Sequence, residues 1–267
     1  MRIEPKHMKI DDIAIYLINL EQSEKRRAHM VKNLADLQLD YTWFRAIDGT
    51  KDWQTLASSV DIKAFERKTG REVLKGEIGA YHSHLRVWDA FIESGKQVAL
   101  VLEDDVVFHA DFLEALETAL VAVERWDFLK LNKIRAKHPV RQGALGAYTL
   151  NAYLGAATGL GAYLITRQTA KMLRPRMLPI TRPIDHELDR TFHHNFRHFG
   201  LEPFPSHVDD EKESTITGTD FSYVKKFPKW KRLPAYALRA RNLIGKTLVL
   251  VGQCNGYTLP KSAGKVD

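Results

Sequence analysis

A chain of 267 residues, 44% hydrophobic and 27% charged, holds enough apolar material for one sizeable core or a main domain with an appendage. Its single cysteine, Cys254, excludes an intrachain disulfide and a thiolate zinc cluster, and a reducing compartment fits best. The net charge of +7 is local: residues 220–267 carry ten Lys or Arg against two Asp, while the rest has 30 basic and 31 acidic residues, so a general polyanion-binding surface is excluded.

Charges at Arg2, Glu4, Lys6 and Lys9 replace the apolar core of a secretory signal. No stretch reaches the roughly 18 uninterrupted apolar residues of a membrane span. The expectation is a cytoplasmic protein that is not integral to a membrane.

DDIAIYLINL (11–20) is β-branched, apolar and of strand length, and Ser23 is placed to cap a helix running to about Leu37. YTWFRAI (41–47) predicts a second strand ending at the Asp48-Gly49 turn. Over 75–95 the apolar residues Ile78, Leu85, Trp88 and Phe91 fall at helical spacing before a stop at Gly95. QVALVL (97–102) is a near-continuous apolar run, as in a strand covered on both faces. A helix is expected over 110–124, a buried strand at WDFLKLN (126–132), and a strand then a helix at 160–166 and 167–174. Residues 134–158, rich in Gly, Ala and Tyr, fit neither pattern. The alternation predicts a three-layer α/β fold with right-handed crossovers and a mostly parallel sheet, which binds ligands at the carboxyl ends of its strands.

At one such end stand Glu103, Asp104 and Asp105. Three adjacent carboxylates raise one another's pKa unless a cation neutralises them. Oxygen ligands favour Mg²⁺ or Mn²⁺, which also bridges phosphates. The ordinary alternative is a helix cap from Asp104 or Asp105, with the other carboxylates solvated.

The surrounding motifs decide between these readings. IYLINLEQSEKRR (15–27), FRAIDG (44–49), GEIGAYHSHLRVW (76–88), LEDDV (102–106), TGLGAYLITRQTAKML (158–173) and PIDHEL (183–188) with STI (214–216) occur in that order. Together they resemble glycosyltransferase family 25, the lipopolysaccharide and collagen glycosyltransferases of the GT-A fold, over most of residues 11–216. Ala80, where many relatives carry Cys, and the Tyr81-His82 pair depart from the pattern.

The resemblance implies an inverting, metal-dependent hexosyltransferase domain over 1–219, with Mn²⁺ or Mg²⁺ on Asp105 and Asp104. It implies a further metal ligand at His207, in FPSHVDD. The end of the first strand places the backbone of Asn19 and Leu20 where a uracil ring would lie, with Arg26 or Arg27 facing phosphate, the ordinary alternative being a solvated basic face on the first helix. In the family reading Asp48, otherwise a turn residue, approaches the ribose. Glu77 and His84, seven apart on one helix face, meet the donor, and Glu103 orients the site or meets the ribose. Asp185 is assigned as the base that takes the acceptor's proton, the competing role being a helix cap. HELDR (186–190) misses the zinc-protease pattern because position 190 is Arg, and His193, His194 and His198 are expected to be solvated on one polar helix.

The family expectation for the donor is UDP-galactose, giving a β linkage on a lipid-linked lipopolysaccharide or lipooligosaccharide acceptor. A noncatalytic glycan-binding or adhesion protein on the same scaffold is the competing class. Nucleic-acid binding is disfavoured by the near-neutral body. In the basic segment, 220–267, residues from Pro234 onward show a helical amphipathic pattern, with Arg239, Asn242 and Lys246 opposite the apolar positions. Two readings follow: peripheral attachment to an anionic membrane on its cytoplasmic face, or a helix packed on the domain with a solvated basic face.

Overall fold

The computed structural model describes residues 8–209 and 224–251, so the 214–216 motif and Cys254 lie outside the described residues. The expected alternation of strand and helix forms as far as α5, after which β5 to β9 follow with no helix between them. The chain runs through β1 (Ala14–Asn19), α1 (Glu24–Asp36), β2 (Thr42–Arg45), α2 (Trp53–Leu56), α3 (Ile62–Thr69), α4 (Lys75–Ser94), β3 (Val98–Glu103), β4 (Val106–Phe108) and α5 (Phe112–Val121). It continues through β5 (Phe128–Lys130), β6 (Asn132–Lys133), β7 (Pro139–Leu145), β8 (Tyr148–Tyr153), β9 (Ala162–Thr166), α6 (Arg167–Leu173), α7 (Ile184–Leu188), α8 (Thr191–His194), β10 (His198–Glu202), β11 (Ser206–Val208) and α9 (Leu233–Val251).

Eight strands form the main sheet in the order β2-β1-β3-β9-β5-β10-β8-β7, and β4-β11-β6 form a smaller one. The pairs β1–β2, β1–β3 and β5–β10 are parallel, whereas β9 and β8 are antiparallel to both neighbours. Most strands of the large sheet therefore run one way, but β9 is reversed where the sequence pattern predicted another parallel crossover. The unassigned stretch 134–158 contains the β7–β8 hairpin, which closes the far edge of the sheet. Nor do the three histidines share a helix: Asn195 adopts a left-handed conformation (φ 56°) that ends α8, and His198 opens β10. His194 and His198 are buried rather than solvated.

Alternation along each central strand serves two cores at once. Ile15, Leu17, Leu100 and Leu102 face a cluster with Met30 and Leu34 of α1 and Leu116 of α5. Tyr16, Ile18, Ala99 and Val101 face the other, with Phe65 of α3, Trp88 of α4 and Ala170 of α6. This two-sided cover is why QVALVL reads as an unbroken apolar run. Trp88 is fully buried, and truncation to Ala would cost about 3–5 kcal/mol. α4 stops where expected, at Gly95 with φ 76°, a conformation that side chains resist.

Candidate active site

The parallel register sets Ile18 beside Glu103, so the last residues of β1 and β3 emerge together at the carboxyl edge of the sheet. A cleft of about 120 Å³ opens there, lined by Asn19, Leu20, Asp48, His84 and all three carboxylates of 103–105, among others. Asn19 Nδ2 donates to Asp104 Oδ2 at 2.6 Å and to the Ser23 carbonyl at 3.1 Å. Arg26, from the first turn of α1, donates to Asp104 Oδ1 at 3.0 Å and lies 4.0 Å from Asp105 Oδ2. Both oxygens of Asp104 thus already have protein donors. The carbonyls of Asn19 and Leu20 are also engaged, by the amides of Ala46 and Ser23.

Asp105 differs. Its Oδ1 is buried without a hydrogen-bond partner. Burial, then the charges of Glu103 and Asp104, push its pKa up to about 7 against the pull of Arg26. Burial also raises Asp104, while Asn19 and Arg26 oppose the rise. A buried unpartnered carboxylate oxygen among like charges is an unfavourable arrangement that a bound hard cation would relieve. The all-oxygen donor set fits Mn²⁺ or Mg²⁺.

Glu103 is held by His84, whose Nε2 lies 3.1 Å from Oε1. His84 Nδ1 lies 3.0 Å from the hydroxyl of Tyr163, which accepts from Trp88 Nε1 at 3.0 Å. Since the indole only donates, the hydroxyl proton is left for His84 Nδ1, and Nε2–H then points at Glu103. Trp88, expected only as core, thereby also orients the site.

The loop after β2 is locked onto α4. Ser83 Oγ accepts from the Ile47 amide and donates to the Gly79 carbonyl, both at 2.8 Å. A Cβ on Gly49 would collide with the Lys75 carbonyl, and one on Gly79 with the backbone of Gly49. This close crossing explains why FRAIDG and GEIG contain glycine there. Asp48 accepts from the amides of Thr50 and Lys51 at 3.0 and 3.2 Å and from Gln22 Nε2 at 2.9 Å. Those donors outweigh the opposing effect of burial and hold its carboxyl below the usual range. Asp48 is both the expected turn residue and a wall of the cleft.

Other expected residues lie apart from the cleft. Glu77 takes a two-point ion pair from Arg71 Nη2 at 2.5 and 2.7 Å, and burial raises its pKa against that pairing. His207 is exposed on β11, with its Nδ1 2.8 Å from His109 Nε2. The residue of that segment beside Asp105 is Asp209, whose amide donates to the Asp105 carbonyl at 2.9 Å. Asp185 opens α7; its Oδ2 accepts from the Gly159 amide at 3.0 Å and its Oδ1 from the His186 amide at 2.8 Å. Of the departures, Ala80 lines the cleft. Tyr81 donates to the Met177 carbonyl, and His82 is bonded to Ser59.

Sequence reasoning missed Lys130. It is fully buried in β5, opposite Tyr163 in register, and donates to the carbonyls of Thr158 and Gly159. Burial lowers its pKa to about 8, while the charges of Asp185, Asp189 and Glu103 pull it back up. It therefore links the Asp185 side electrostatically to the carboxylate cleft. A lone charge inside the apolar run FLKL was the available signal.

Glu187, His193 and His194 also converge closely enough to suggest a metal site. Arg182 and Arg190 each reach the Glu187 carboxylate at 2.8 Å, however, and His194 Nε2 does so at 2.8 Å. Burial opposes ionisation there, yet His194 and the two guanidiniums hold the carboxyl at about 2. Cations already saturate this cluster, and a divalent ion would face two guanidiniums.

Comparison with known proteins identifies the family. The model of glycosyltransferase family 25 (LPS biosynthesis protein) matches residues 12–188. A procollagen galactosyltransferase 1-B of Xenopus laevis is 27% identical over 256 residues, 85% of this chain and 42% of the relative. A glycosyltransferase 25 family member of Aedes aegypti is 29% identical over 189 residues, 68% of this chain and 31% of the relative. The human inactive glycosyltransferase 25 family member 3 is 27% identical over 188 residues, 64% and 31% of the two chains. This chain thus spans less than half the length of these relatives. The matched region runs from the start of β1 to α7 and includes Asp48, the 103–105 carboxylates and Asp185, and the chain belongs to glycosyltransferase family 25.

Proposed function

We propose that the chain is an inverting, metal-dependent hexosyltransferase that moves galactose from UDP-galactose to a hydroxyl of a lipid-linked lipopolysaccharide or lipooligosaccharide glycan, forming a β linkage. The observation that carries this reading is the unpartnered, buried Asp105 oxygen among three carboxylates at the edge of the cleft beside β1 and β3. Asp105 and Asp104 would hold Mn²⁺ or Mg²⁺, which supplies charge neutralisation to the departing diphosphate. Arg26 adds a fixed positive charge for phosphate, and Glu103 and Asp48 offer acceptors to the ribose hydroxyls.

Asp185 serves as base. As the acceptor oxygen bonds to the anomeric carbon and the bond to the diphosphate breaks, the hydroxyl proton passes to the Asp185 carboxylate. Two backbone amides fix that carboxylate, and Lys130 lies in the field of both Asp185 and Glu103. The galactose assignment draws on relatives named galactosyltransferases, and the acceptor on the family description.

A noncatalytic, glycan-binding role is favoured by one observation, the similarity to a relative named inactive. One assay separates the two. The protein is incubated with a panel of nucleotide sugars and Mn²⁺, and nucleoside diphosphate release is followed with and without chelator. Release of UDP from UDP-galactose that chelator abolishes is the expected result. No release from any donor would support the binding role, and full activity in chelator would remove the metal.

A further inference from the structure

Residues 224–251 contain eight Lys or Arg and no Asp or Glu. Most of them lead into or form α9, which packs on α3 and α8. A surface helix ordinarily turns its apolar stripe inward and its charges to water. Here Ala235 is buried and Val249 and Leu250 pack on the core, but a second apolar stripe faces water and one lysine is turned inward. Lys246 is buried, with its ammonium donating to the Gly155 carbonyl at 2.8 Å and paired with Asp189. Gly245 on the same side lies close against Phe192. Leu233, Tyr236, Leu243, Ile244 and Leu248 are exposed, Leu248 at 63%, and separations of three, seven, one and four residues place them within one outward arc.

Exposed Arg239 and Arg241 flank that stripe on opposite sides, and Trp230, 68% exposed, stands just before the helix beside Lys229 and Lys231. Of the residues expected opposite the apolar positions, Arg239 is exposed, Asn242 half-buried and Lys246 buried, so the reading of a packed helix with a solvated basic face does not hold at Lys246. Lys246 is drawn in beside Asp189, while the stripe from Leu233 to Leu248 stays outward.

We infer that the outward face of α9 docks in the plane of an anionic phospholipid bilayer, a partner beyond the proposed transfer chemistry. A helix of 19 residues is about 28 Å long, and its apolar stripe would enter the acyl boundary while the flanking Arg and Lys meet lipid phosphates. No described helix is long and apolar enough to cross a membrane, so the helix lies on the bilayer. A second copy of the chain is the poorer occupant, because pairing two such faces would bring two wholly basic segments together.

The test is flotation of the full chain with phosphatidylglycerol-rich vesicles and with phosphatidylcholine vesicles. Binding at least about tenfold tighter to the anionic vesicles, weakening with salt, is expected. Ile244→Asp with Leu248→Asp, two exposed positions, should release the protein without shifting its melting temperature or its donor hydrolysis in solution. Arg239→Ser and Arg241→Ser should each weaken binding about fivefold. Equal binding of the parent and the double Asp variant, or no preference for anionic vesicles, would overturn the inference. Self-association that the Asp variant abolishes without vesicles would assign the face to a second copy and overturn it equally. Because donor hydrolysis is read separately, failure here leaves the transferase reading untouched.

Discussion

Two regions of this protein set buried carboxylates against imidazoles, and they do opposite things. At the cleft, three adjacent carboxylates face one close guanidinium, and Asp105 keeps a buried oxygen without a partner, with its pKa near 7. Around Glu187, one carboxylate is closed by two guanidiniums and an imidazole, and its pKa falls to about 2. The residue types are alike; the balance of charge is not. A site with unmet negative charge is poised to take a cation, whereas a saturated one holds structure together.

Substitution should separate the two. Asp105→Asn is expected to lower transferase activity about 10³-fold, equivalent to about 4 kcal/mol, with no fall in melting temperature, since the neutral amide relieves the crowded charge. Glu187→Gln should do the reverse. Removing one partner leaves Arg182 and Arg190 uncompensated, at a cost of about 3 kcal/mol in denaturant unfolding, while the folded fraction keeps its rate. A large stability loss in the first variant or a large catalytic loss in the second would collapse the distinction.

The pH dependence sharpens it. Glu187 is depressed in the folded state, so its contribution is complete above its ordinary value of 4.5 and is lost as the pH falls toward 2. Stability should drop by on the order of 2–3 kcal/mol across that window, and Glu187→Gln should flatten the curve. Unfolding by urea at several acid pH values provides the check.

Two smaller effects probe the link between the cleft and Asp185. Lys130→Met keeps the volume but strands the carbonyls of Thr158 and Gly159, costing about 2 kcal/mol of stability. Because Gly159 holds Asp185, kcat should fall while the donor KM stays level; a rise in KM alone would place Lys130 on the donor side. Tyr163→Phe removes the hydroxyl between Trp88 and His84 and should cost about 1 kcal/mol.

How far the sequence foretold this depends on which physics fixes each part. Periodicity located β1, α4, β3 and α9, because amphipathic spacing and a Gly95 stop are local properties. It missed the reversal of β9, since an apolar run between two neighbours reads the same in either direction. The acidic trio was legible as a strand end bearing like charges, but its asymmetry was not. That comes from Asn19 and Arg26, more than 75 residues away in the chain, which engage both oxygens of Asp104 but reach Asp105 only at Oδ2, 4.0 Å from Arg26. Likewise Glu77 was readable on the face of α4, while its capture by Arg71 depends on the path of the preceding loop. The β7–β8 hairpin escaped because its strands are short on apolar alternation and lie at an edge.

The central claim is that Asp105 completes a cation-dependent donor site. Calorimetric titration of Mn²⁺ into the protein with UDP present, for the parent chain and for Asp105→Asn, tests it most directly. Saturable binding by the parent and its loss in the variant, with no fall in melting temperature, is the predicted result. Equal Mn²⁺ binding by both proteins would contradict it.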